Sequence, residues 1–336
     1  MRTPACRRPA AAELPAAPPA GIRHAMTLTI LAALVPIALL IGLGAGLRRC
    51  GFLAPAFWPQ AERLAYYVLL PSLLVHGLAT ARLDGVPVLE LAAVLVLSTA
   101  CVALVLVAAR PLFRIDGAAF TSVFQGGIRF NNYVGVSAAA GLYGAQGVAL
   151  AAVANAAIVP TVNVLCALIF ARYGTAGQAR PGLILRQIAL NPLVLGSVGG
   201  IVLQAAHVPL PPGIEPALKA LGSASLPLGL LCVGAALDFG TARRWVRPVA
   251  AASLCKFGLM PAATVLACLA LGLSGPAAVT ALLFQALPTA SSAYIMARQL
   301  GGDAPLMAGI TATQTVLAAA VLPLVMIGLG ALAGLG

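Results

Sequence analysis

Apolar runs of about 20 residues recur from one end of this chain to the other, and a helix of that length crosses a hydrocarbon core of about 30 Å. Lipid offers no hydrogen bonds, so each run must satisfy its backbone internally, as a helix does. Composition agrees: of 336 residues, 61% are hydrophobic and only 8% are charged, with a mean hydropathy of +1.01. Soluble domains carry roughly 25% charged residues. The runs predict spans near 27–47, 62–80, 87–109, 118–140, 146–171, 184–206, 214–237, 248–272, 276–299 and 305–333. The expected fold is all-α, an integral membrane protein of about ten transmembrane helices, with residues 26–336 as a single transmembrane domain. Residues 1–25 hold four arginines, several prolines and no apolar run. They read as a disordered extension or as a start-site artefact, with Met26 the expected start.

A net charge of +12 invites a nucleic-acid reading. The basic residues, however, sit singly or in pairs at the ends of apolar runs, without the clustered basic patch that nucleic acid requires. They follow the positive-inside bias instead. With the N-terminus outside, the inner loops hold Arg48, Arg49, Arg63, Arg110, Arg114, Arg172, Arg180, Arg186, Arg243, Arg244, Arg247 and Arg298, against Arg82 and Lys219 outside. Both termini are therefore expected outside a plasma or inner cell membrane. The partners expected are the bilayer and a small organic anion, with no nucleic acid; a homodimer is left open. The seven cysteines show neither metal nor redox spacing, so no cofactor or metal is expected.

The chain repeats itself weakly. Leu70-Pro71 followed by Gly77 is echoed by Leu226-Pro227 followed by Gly234, and Phe124-Gln125 by Phe284-Gln285. Asn131-Asn132 interrupts span four and Pro288-Thr289 interrupts span nine. Glycine turns follow at Gly141–Gly144 and at Gly301-Gly302. Corresponding elements lie five spans apart, an odd number, so the halves (about 26–172 and 183–333) must be inverted five-helix repeats. That is a plan of secondary transporters.

Paired breaks at mid-membrane expose backbone groups that are tolerated where they line a cavity, and half-helix N-termini there attract anions. The candidate substrate-binding residues are Gln125, Arg129, Asn131 and Asn132 at the first break and Pro288, Thr289, Ser291 and Ser292 at the second. The asparagines either contact substrate or cap the broken helix. Arg129, deep in its span, either clamps a carboxylate or snorkels to the headgroups. Supporting candidates are Pro71, Ser72, His76, Lys256 and Gln285. Lys256 reads as a snorkelling or carbonyl-bound lysine and His76 as a packing residue, with proton carriage its alternative role. Asn155, Asn163, Asn191, Thr311 and Gln314 read as helix–helix hydrogen-bonders.

All eight acidic residues fall in loops or near span ends, so the breaks are expected to lack a mid-membrane carboxylate for binding cations. There is no catalytic pair at depth: no His-Glu-x-x-His occurs, and Ser72 with His76 lacks an orienting acid. An enzyme is not expected. A carrier of organic anions is the leading reading, beside a sodium-coupled symporter of the same architecture or a receptor or channel.

The stretches Gly126-Gly-Ile-Arg-Phe-Asn-Asn-Tyr-Val-Gly135, Leu142-Tyr-Gly, Asn191-Pro, Lys256 with Pro261, Leu287-Pro-Thr-Ala-Ser-Ser-Ala-Tyr294 and Ala297-Arg-Gln-Leu-Gly-Gly-Asp303 resemble the auxin efflux carrier family. The resemblance runs from about Met26 to Leu329. It implies ten spans in two inverted repeats, broken helices four and nine crossing, and a scaffold with an elevator-like transport domain. It also implies that Asn131 or Asn132 and Pro288 match the residues at the family's breaks. Many members carry a proline after the helix-four asparagine; Tyr133 to Ala140 has none, which predicts a milder break.

Overall fold

The computed structural model describes residues 20–80, 87–175, 186, 190, 192–237, 245–290 and 292–332, and every regular element among them is a helix. Ser291, Asn191 and the loop residues Arg82, Arg180, Arg243 and Arg244 lie outside the described residues. Five helical stretches are long and apolar enough to cross a membrane: Val88–Ala108, Gly117–Tyr173, Ile214–Ala235, Val246–Leu271 and Ala304–Met326. The chain is a multi-span helical membrane protein. Its surface is aliphatic, with Leu104, Leu112 and Leu254 each more than two-thirds exposed, whereas Gln125, Asn155, Gln285 and Gln314 are buried. That inversion of the water-soluble pattern suits lipid outside and polar groups within.

The first helix, α1 (Ala20–Arg49), ends on Arg48 and Arg49, which complement the negative end of its dipole. Next come α2 (Phe57–Leu64) and α3 (Leu70–Ala79), joined by a π turn at Ala65–Leu69. Pro71 explains the turn. Its ring has no N–H and crowds the preceding turn, so the helix widens and the Leu70 N–H reaches five residues back to the Ala65 carbonyl. The same device recurs further on. Helix α10 (Val246–Leu254) passes through a π turn at Cys255–Leu259 into α11 (Met260–Leu271), with Pro261 following and the Met260 N–H donating to Cys255.

Between these lie α4 (Val88–Ala108), short α5 (Arg110–Phe113), α6 (Gly117–Ile128), α7 (Asn132–Tyr173), α8 (Pro192–Ala205) and α9 (Ile214–Ala235). Asp116 caps α6, its carboxylate accepting from the Ala119 N–H at 2.7 Å. At 42 residues α7 is too long for one crossing, and Gly144 divides it with φ 57° and ψ −133°. There the chain doubles back so tightly that a Cβ on Gly147 would strike the Ala139 carbonyl. The glycine turn expected at 141–144 is thus a reversal, possible because glycine alone adopts this backbone freely. The chain ends in α12 (Gly275–Gln285), α13 (Ser292–Leu300) and α14 (Ala304–Leu332), with Gly301 at φ 74° between the last two.

Small residues set the packing, as in membrane helices generally. A Cβ on Gly44 would meet the Leu231 backbone, and one on Gly234 the Ile41 carbonyl, so α1 and α9 touch backbone to backbone. Gly196 and Gly200 bring α8 equally close to Pro71 and to Leu74 and Leu78 of α3. The second limb of α7 packs on α4 and α12, while α10 and α11 pack on α6 and α4.

Candidate functional site

The first break lies where α6 stops at Ile128. Arg129 is extended at φ −73° and ψ 159°, and Asn131 at φ −93° and ψ 106°. The Asn131 carbonyl oxygen accepts from the Tyr133 and Val134 N–H groups at 3.1 and 3.3 Å, so this residue caps the second half-helix. An asparagine cap suffices to interrupt the helix without the family's proline. The second break lies where α12 stops at Gln285, and Leu287–Ala290 is non-helical around Pro288.

The two breaks touch. The Phe130 and Phe284 rings stand 5.8 Å apart. A Cβ on Gly135 would stand 2.6 Å from Leu287 Cδ1 and 3.1 Å from Phe284 Cζ. Gln314 of α14 ties them together: its amide donates to the Gly126 carbonyl at 2.9 Å and accepts from the Thr289 N–H at 3.0 Å. The sequence marked Gln314 only as a helix–helix hydrogen-bonder. Nothing in an apolar run says which backbone a buried glutamine will meet.

Arg129 is half-buried and does not reach for a headgroup. Its guanidinium donates to Asn163 Oδ1 at 3.1 Å, to Ser292 Oγ at 3.4 Å and to Met296 Sδ at 3.5 Å, all neutral. It therefore joins the first break to the second limb of α7 and to α13. Asn163 is the helix–helix hydrogen-bonder its position suggests, and its partner is the candidate arginine. Asn155 and Thr311 bond within their own helices, to Ala151 and Met307.

Several buried polar atoms have no hydrogen-bond partner: both amide atoms of Gln125, Asn132 Oδ1, Gln285 Oε1, Thr289 Oγ1 and Lys256 Nζ. Unmade bonds of this kind are rare in native interiors and mark places for a ligand or a rearrangement. The Gln285 nitrogen is used, donating to Leu95 O and to the Ser98 and Thr99 hydroxyls at 2.8–3.0 Å. Lys256 is fully buried in the second π turn, so neither snorkelling nor a carbonyl bond describes it. The π turn directs the side chain inward where an ordinary helical reading puts it near the headgroups.

The supporting candidates of the α3 segment fall elsewhere. Pro71 shapes the first π turn, Ser72 donates to Val68 O at 2.7 Å, and His76 faces Glu215 at 3.9 Å. Glu62 stands near the first break. Half-buried on α2, its carboxylate is close enough to Tyr133 and Cys232 to act on both electrostatically. The first break therefore has a carboxylate in its neighbourhood. Tyr133 itself lies against Gly229 of α9, where a Cβ would overlap its ring.

A cavity of about 260 Å³ adjoins both breaks, lined by Val134, Pro288 and Thr315 together with the aliphatic Ile37, Ile41 and Leu322. Among the described residues no group of three or more His, Cys, Asp or Glu side chains could hold a metal ion. A family model described as Membrane transport protein matches residues 29–326, a stretch that takes in both breaks, Arg129, Lys256 and Gln314. No curated protein matches the chain.

Proposed function

Because the chain belongs to the membrane transport protein family, the family of the auxin efflux carriers, we propose that it is a secondary transporter of small organic anions, with a carboxylate held between the two breaks. The chain is a transporter and not an enzyme. One observation carries the anion reading: a half-buried guanidinium stands at the first break with only neutral hydrogen-bond partners. Such a cation retains its charge for a ligand, and its planar fork suits a carboxylate. The unpartnered Thr289 hydroxyl, the Asn132 amide NH₂ and the half-helix ends would complete the site with Gln125, Pro288, Ser291 and Ser292. The adjoining aliphatic cavity would take the apolar body of a monocarboxylate.

Alternating access, elevator-like, by ten helices in two inverted repeats is the mechanism we assign to one domain spanning 26–336. Its support is the likeness of the halves. Gln125 lies in the last turn of one buried half-helix and Gln285 ends the other, and Gly144 and Gly301 each follow with positive φ. Glu62 beside Tyr133 favours a sodium-coupled variant as the second reading. Uptake of labelled mono- and dicarboxylates into proteoliposomes, with and without a sodium gradient, tests both. Saturable uptake of at least one acid is expected, and failure of the whole panel would reject the anion assignment.

The arginine bias puts both termini outside, which gives the exposed Cys50 between α1 and α2 a cytoplasmic position. A variant whose single cysteine is Cys50 should react with an impermeant maleimide in inverted vesicles and not in intact cells. Labelling in intact cells would reverse the orientation.

A further inference from the structure

The anion site as described leaves Lys256 without a task. Its side chain is fully buried and its Nζ has no hydrogen-bond partner. The neighbouring helix is α6. A Cβ on Gly126 would stand 3.1 Å from Ala252 Cβ, and one on Gly127 would stand 3.5 Å from Cys255 Cβ. Gln125 and Lys256 adjoin these contacts on either helix, and both amide atoms of Gln125 are buried and unpartnered. The Ser253 hydroxyl, on the same span as Lys256, is likewise buried without a partner. Three buried hydrogen-bonding side chains thus lie unpartnered on one helix pair.

Among the described residues no carboxylate forms an ion pair with Lys256. On α6 the sole titratable flanking groups are Asp116 at its far end, engaged with the Ala119 N–H, and Arg129 just beyond its buried end. Helices α12 and α14, which pack on α11, hold no charged residue. Helix α4 brings Cys101 and Glu90, and Glu90 lines a pocket with Leu271 and Gly272 at the opposite end of α11. The span of Lys256 itself adds Arg247, Cys255 and Cys268. An ammonium held here with no counter-charge is costly, whereas an amine and an amide are tolerated.

We propose that Lys256 is the proton-carrying group of this carrier, gaining a proton when an organic anion settles beside Arg129 and returning it when the anion leaves. The inference rests on the anion reading above. Gly127, whose Cβ position faces Cys255 beside Lys256, precedes Arg129 by two residues, at most ~7 Å of chain. Unit charges about 10 Å apart at an effective dielectric constant near 20 change proton affinity by roughly tenfold. The step is balanced: the Nζ amine takes H⁺ from water to become –NH₃⁺, and no other bond is made or broken. Gln125 Oε1 and Ser253 Oγ, both unpartnered on this helix pair, are acceptors that a rearrangement of the lysine side chain would bring to the new donors. One proton then accompanies each anion, which makes the movement of a monocarboxylate electroneutral.

The chain has only two lysines, Lys219 and Lys256, so protein labelled with [¹³Cε]-lysine gives two signals, and Lys219→Arg assigns them. In nanodiscs without substrate, the Lys256 signal should move between its amine and ammonium positions from about pH 9 to about pH 5, a range in which an ordinary lysine stays charged. A signal fixed at the ammonium position throughout overturns the proposal. Transport gives the second arm, with labelled benzoate and malonate as probes in proteoliposomes under an inside-alkaline gradient. The ratio of gradient-driven accumulation to exchange should fall about tenfold in Lys256→Met and in Lys256→Arg. Methionine keeps the length of the stem and suits the apolar surroundings, and melting curves of both variants confirm folding. An unchanged ratio in either folded variant refutes the coupling role. Absence of all uptake by the wild type counts against the anion reading, while the titration still decides the lysine.

Discussion

Arg129→Ala should raise the apparent dissociation constant for a transported acid about ten- to hundred-fold, with a much smaller fall in melting temperature. A charge-assisted hydrogen bond contributes roughly 1.5–3 kcal/mol, and each 1.4 kcal/mol is a factor of about ten in affinity. The bonds from Arg129 to Asn163 and Ser292 are long enough, at 3.1 and 3.4 Å, to be exchanged for a ligand's. Arg129→Lys separates two roles. A lysine keeps the charge but cannot reproduce the fork that spans α7 and α13. If lysine restores wild-type affinity, the bidentate clamp is wrong and a point charge is enough. If the alanine variant binds normally but melts early, the arginine is only a strap between helices. Asn132→Ala, at the same break, should follow Arg129→Ala in direction, because an asparagine amide NH₂ can donate to the same carboxylate.

The largest stability effect is expected at Gly234. A Cβ there would overlap the Ile41 carbonyl, and on the facing helix Gly44 stands in the same relation to the Leu231 backbone. The obstacle is main chain on both sides, so no side chain can swing away. Overpacking a core costs typically 1–3 kcal/mol even where side chains yield; here α1 and α9 must separate. Gly234→Val should therefore yield little monodisperse protein in fluorescence-detected size-exclusion profiles. Gly46→Val is the control, since its Cβ meets nothing within 4 Å. Equal profiles for the two variants would show that the close approach is not needed for folding.

Much of this architecture could be read from residue types. Asparagine and proline in apolar runs located both breaks, and Gly144 and Gly301 took the positive φ that glycine turns require. The helix starts were less legible. Span two begins at Phe57 because an amphipathic turn precedes the apolar run, and that shift sets Glu62 inside a helix and not at its start. The π turns were not foreseen, because proline announces a disturbance without saying whether the helix kinks or widens. Lys256 was misjudged for that reason. The partners of Arg129 escaped notice because Asn163 and Ser292 lie 34 and 163 residues along the chain, and only packing can join them.

Gln314 has one acceptor and one donor end, and its two bonds use both. Rotating the amide would set oxygen against the Gly126 carbonyl and NH₂ against the Thr289 N–H, so its orientation has no alternative. The two segments it joins come from distant parts of the sequence, yet one rigid planar group measures the gap between them. The gap cannot widen at one break without loosening the other. An amide built this way holds the two breaks in one register, so that a displacement of either strains its bond to the other.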